Sequence, residues 1–177
     1  MSILSRARAL GAIAAFGSAM PLALRAGVAA PKADPNDVRL LAAAAALERA
    51  AVKVYTDALA TNALSAGPAT VVNRFLTDHA AHRDTLVTAL QAANAAPSSD
   101  VAPLDVPSLR TESDVLAYAY TLERLVSTTY LNSIGQYKNR DYATTAASIL
   151  GVDAGHVALL AEALRRSPAY PTGFVTP

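Results

Sequence analysis

Apolar residues recur at three- and four-residue intervals in four separate stretches of this chain, the period of a helix face rather than the alternation of a strand. The first stripe is Leu41, Ala44, Ala45, Glu48, Val52, Tyr55 and Leu59. It predicts a helix from about Pro35 to Ala60, with Asp34 as N-cap and Pro35 at the first helical position. The second stripe, Val72, Phe75, Leu76, His79, His82, Leu86 and Leu90, predicts a helix from near Pro68 to near Asn94. The third, Leu116, Ala119, Tyr120, Glu123, Val126, Tyr130 and Ile134, opens behind Thr111-Glu112-Ser113-Asp114, a capping-box variant. The fourth holds Ile149, Asp153, His156, Leu160 and Ala163, with Asp141 as the expected N-cap and Arg165 and Arg166 suited to its negative end.

The connections constrain how the helices are arranged. Ala95 to Arg110 is a stretch of 16 residues with Pro97, Pro103 and Pro107, long for a connection inside a compact domain. A helix of about 25 residues spans roughly 38 Å, and about 16 extended residues reach roughly 50 Å. The loop can therefore return along the whole length of a bundle. The expectation is an all-α four-helix bundle, two helical hairpins joined by a long crossover, with the second and third helices parallel.

Polar residues interrupt each stripe in a pattern that occurs twice. Glu48 is followed by Tyr55, then by His79 and His82; Glu123 is followed by Tyr130, then by Asp153 and His156. Glutamate and tyrosine are seven residues apart in both halves, and the last histidine follows its glutamate by 34 residues in one and 33 in the other. Residues three apart on a helix share a face, so each half can direct an acid from one helix and a pair from the next into a common core. A carboxylate buried alone costs several kcal/mol or takes up a proton. Metal neutralises such a set, and oxygen with imidazole suits iron, manganese or zinc. Glu48, His79, His82, Glu123, Asp153 and His156 are thus the candidate metal ligands. Tyr55 and Tyr130 are core packing whose hydroxyls can support a ligated carboxylate. Singly, any of these acids could be a surface charge and any of the histidines a hydrogen-bonded core residue; matched spacing in two halves favours the common site.

Composition narrows the classes further. Hydrophobic residues make up 53% of the chain but aromatics only 6%, a balance that favours closely packed, alanine-rich helices. With no cysteine, thiolate zinc sites, iron–sulfur clusters and disulfides are excluded. Arg6 and Arg8 precede an uncharged run from Ala9 to Leu24, and small residues follow up to Ala30. This reads as an export signal over residues 1–30, too short at 16 residues to span a bilayer, which takes about 20. The expected layout is therefore signal 1–30, bundle 31–167 and surface tail 168–177, in a periplasmic or secreted protein without a transmembrane segment after cleavage. Without residues 1–30 the chain keeps 12 basic and 14 acidic residues, a net charge of −2. No basic run remains, so nucleic acid is not an expected partner.

On these residues the chain resembles the ferritin-like superfamily, specifically the exported bacterial ferritin-like domain proteins, over about Asp37 to Arg166. The resemblance implies a dinuclear centre with Glu48 and Glu123 as terminal carboxylates and His82 and His156 as imidazole ligands. Asp153 and His79 stand where the family has two bridging glutamates. Aspartate keeps the charge with one methylene less reach, whereas histidine removes a charge and normally serves one metal. The resemblance therefore implies one or two ions of iron or manganese, with zinc an alternative. It further implies ferroxidase or peroxide-consuming chemistry, or a non-enzymatic structural, interaction or stress-protection module with a degenerate site, and homo-oligomers are compatible with either.

Overall fold

A computed structural model describes residues 33–166; the expected signal and tail lie outside them. The described residues form four helices and no strand: α1 (Pro35–Ala60), α2 (Ala66–Ala92), α3 (Glu112–Ile134) and α4 (Arg140–Ala163). Helix starts follow local chemistry. Asp34 accepts from the Asn36 N–H at 2.8 Å ahead of Pro35. Thr111 and Asp114 complete a reciprocal capping box. In α4 the N-cap is Asn139 rather than Asp141, because the Asn139 side chain accepts from the Asp141 N–H at 2.8 Å. Asp141 instead places an acid in the first turn, where the helix dipole favours it. Asn62 and Asn94, just beyond the ends of α1 and α2, take left-handed backbone conformations with φ of 55°, which asparagine tolerates better than most residues. Arg165 and Arg166 fall just past α4. Arg166 lies 4.2 Å from the Tyr120 ring centroid.

Cross-helix hydrogen bonds give the topology. Tyr55 of α1 meets Glu123 of α3, and Glu48 meets Tyr130; as one chain advances the other recedes, so α1 and α3 are antiparallel. At one end, Ser65 ahead of α2 donates twice to Glu112 at the start of α3, at 2.7 Å each. Helices α2 and α3 therefore start together and run parallel. Residues 95–110 accordingly cross the length of the bundle along α1, where the Ala102 N–H donates to the Ala46 carbonyl at 3.0 Å. At the other end, buried Asp37 accepts the Lys138 and Asn139 N–H groups, both at 2.8 Å, and so ties the start of α1 to the α3–α4 turn.

Alanines at 44, 45, 51 and 58 are buried on α1, which lets neighbouring backbones approach closely. Along α2, Val72 and Phe75 lie before the polar centre and Leu86 and Leu90 after it, all essentially inaccessible. Each fully buried side chain of this kind contributes about 1.5–3 kcal/mol, and these apolar layers offset the cost of the charges between them. Helix α4 is long and apolar enough to cross a membrane by length and composition. Its buried face carries Asp153 and His156 and packs in the bundle.

Candidate metal centre

All six residues expected to carry chemistry meet in the middle of the bundle. Glu48 comes from α1, His79 and His82 from α2, Glu123 from α3, and Asp153 and His156 from α4. Glu48, His79, Glu123 and Asp153 are 0% exposed. The His82 side chain is 12% exposed and that of His156 6%, so the centre approaches solvent on the α2–α4 side.

His79 joins the two halves. Its Nδ1 lies 2.6 Å from Glu48 Oε2 and its Nε2 2.9 Å from Glu123 Oε1. A ring that meets a carboxylate at each nitrogen donates from both and carries a positive charge. Burial alone would lower the basicity of His79, but Glu123 and Glu48 raise it well above the ordinary range. Burial would likewise raise both glutamates, yet the His79 and His82 rings bring Glu48 down to about 2, and His79 and His156 bring Glu123 to about 2. Tyrosines complete these carboxylates across the hairpins. Tyr130 donates to Glu48 Oε1 at 2.6 Å and Tyr55 donates to Glu123 Oε1. Burial, then the adjacent glutamate, pushes both phenols well above their usual range, so they remain donors.

The other side of the centre is unfinished. Neither oxygen of Asp153 has a hydrogen-bond partner, nor does Nδ1 of His82. Asp153 Oδ1 stands 3.6 Å from His82 Nδ1 and 3.8 Å from His156 Nδ1. Burial and the Glu48 charge raise the Asp153 acid well above the carboxylate range, which favours its protonated form. His156 Nδ1 lies 3.2 Å from Glu123 Oε2. Its outer nitrogen, Nε2, lies 3.3 Å from Asp78, which Arg74 grips at 2.8 Å. Against burial, Asp78 and Glu123 raise His156 to about 9.

Two overlapping groups have ligand atoms close enough to share an ion: His79, Glu123, Asp153 and His156, and Glu48, His79 and His82. The oxygen–imidazole chemistry and the unpartnered, buried Asp153 carboxylate both fit a divalent transition metal. Sequence reading passed over Asp78 and Asp37. The Arg74–Asp78 pair at i, i+4 signals an ordinary surface salt bridge, and the reach of Asp78 to His156 on another helix has no sequence signature. Likewise Asp37 looks like a first-turn acid and nothing more.

Residues 36–166 match the model of the ferritin-like domain family. A crystal structure of a conserved hypothetical protein from Mycobacterium tuberculosis is similar in fold, with a TM-score of 0.67 at 20% identity, over 80% of this chain and 97% of that one. No curated protein matches.

Proposed function

The chain belongs to the ferritin-like domain family, and from that premise we propose that it is an exported metal-binding protein whose bundle core holds divalent iron or manganese. The observation that carries this reading is Asp153: a carboxylate 0% exposed, with neither oxygen hydrogen-bonded, facing two histidines. A buried acid without a partner costs stability, and a cation among Asp153, His156 and Glu123 removes that cost. Export to the periplasm or beyond rests on the leader read in residues 1–30.

Bound iron or manganese would supply one-electron chemistry toward dioxygen or peroxide, which makes ferroxidase or peroxide-consuming turnover the expected activity; zinc would leave a structural or storage role. The protein's own contribution is orientation. Tyr130 and Tyr55 hold Glu48 and Glu123 in place. Asp78 engages the outer nitrogen of His156 so that Nδ1 faces the carboxylates, the arrangement that fixes imidazole ligands in metal sites. Apolar layers on both sides keep water from the buried acids, and the partly exposed edge at His82 offers small species an approach.

The test is metal content by elemental mass spectrometry after anaerobic Fe(II) or Mn(II) loading and desalting, for the wild type and Asp153→Asn. Retained metal in the wild type, lost in the variant, supports the reading. A second reading, a non-enzymatic module, draws on the way His79 already joins Glu48 to Glu123 without metal. Absence of retained metal in the wild type would favour it.

A further inference from the structure

We infer that the core takes a single divalent ion, on Glu123, Asp153 and His156, and that the His79 ring occupies the place of a second. This rests on the metal-binding reading above and assigns its stoichiometry and position. The two candidate groups are not equivalent in what they already bind. Both Glu48 oxygens are engaged: Oε1 accepts from Tyr130 at 2.6 Å, and Oε2 lies 2.6 Å from His79 Nδ1. An ion on Glu48, His79 and His82 must break that short contact or displace the ring from it.

Nothing comparable obstructs the other group. Both Asp153 oxygens lack partners, Glu123 Oε2 faces only His156 at 3.2 Å, and His156 Nδ1 points to the same place. Glu123 keeps its tyrosine and His79 contacts through its other oxygen, Oε1, so an ion at Oε2 leaves the bridge between the hairpins intact. His82 stands outside this ligand set because its ligand atom clusters with those of Glu48 and His79 rather than with those of Glu123, Asp153 and His156.

Anaerobic titration of the metal-free protein with Co(II), read by visible absorption and by native mass spectrometry, tests the assignment. The wild type is expected to saturate at one ion per chain. His82→Ala should keep that ion, while His156→Ala should lose it or weaken it at least tenfold. His79→Glu, which restores a carboxylate at the bridging place, should take up two. Saturation of the wild type at two ions overturns the inference while leaving the metal-binding reading standing, as does equal loss in His82→Ala and His156→Ala. No binding in the wild type overturns both. Because the wild-type stoichiometry needs no substitution, the inference stays decidable even if His79→Glu fails to fold.

Discussion

The Tyr130 hydroxyl donates to Oε1 of Glu48 at 2.6 Å, across 82 residues of sequence and from one helical hairpin to the other. Tyr55 and Glu123 make the reciprocal contact. Each half of the chain thus supplies the donor that orients the other half's carboxylate, and neither hairpin can finish its own site.

Tyr130→Phe should therefore destabilise the protein although the ring still fits. Leaving a buried carboxylate oxygen without its donor costs about 1–3 kcal/mol, more where the group is charged. Urea denaturation of the metal-free protein checks this. A double-mutant cycle with Glu48→Gln should show coupling, since the two residues touch; strictly additive effects would count against the contact.

Asp37 should matter as much to the fold, with no bearing on metal. Its carboxylate is the sole acceptor shown for the Lys138 and Asn139 N–H groups at the α3–α4 turn. Asp37→Ala removes the acceptor of two part-buried N–H groups and should cost about 1–3 kcal/mol in total. Metal content per folded chain should not change. An unchanged denaturation midpoint would contradict the clamp.

Metal-free stability should fall on both sides of a weakly acidic optimum. Glu48 and Glu123 titrate near 2 when folded against 4.5 ordinarily, so their contribution is present above 4.5 and disappears as pH drops toward 2. His156 titrates near 9 against 6.5; its contribution is complete below 6.5 and disappears as pH rises through 9. Raised Asp153 opposes folding increasingly as pH rises above 3.8. Melting temperatures across this range should decrease from pH 6.5 to 9, and less so in His156→Gln. A flat profile there would sink the assignment.

Metal binding should release protons. His156, raised to about 9, holds a proton near neutrality, and the Asp153 acid is raised as well; an ion must displace the protons its ligands carry. Affinity for Mn(II) should accordingly rise with pH up to about 9. Calorimetry in buffers of different ionisation enthalpy should detect the released protons. At a hundredfold excess over Kd the folded state gains about 2.7 kcal/mol, visible as a higher melting temperature. Affinity independent of pH would argue that other residues bind the ion.

Asp78→Asn should weaken metal binding while sparing the fold. Asp78 is only partly buried, and its role is to hold the outer nitrogen of His156. Loss of such outer partners typically costs about 10–100-fold in metal affinity. The His156 titration, followed by NMR, should move down from about 9 in the same variant. If affinity fell but that titration did not move, Asp78 would be acting by some other route.

Helix periodicity, the proline-bearing crossover and the doubled Glu–Tyr–His spacing were readable along the chain because each is a local or repeating feature. A stripe with a 3.6-residue period must face inward, and six polar residues on such stripes must end near one another in a bundle. The capping box at Thr111 was equally plain, since its two partners lie three residues apart. What the residues do to one another depended on helices meeting. His79 looked like one weak ligand among six; across the bundle it became the link between two glutamates from different hairpins. Tyrosines able to support a ligated carboxylate each reach the other half's glutamate, because α1 and α3 run antiparallel. Asp153 was left without a partner and Asp78 gained one on another helix for the same reason. Burial and sub-3 Å geometry between distant segments set the charge on each group, and periodicity along one helix carries no information about either.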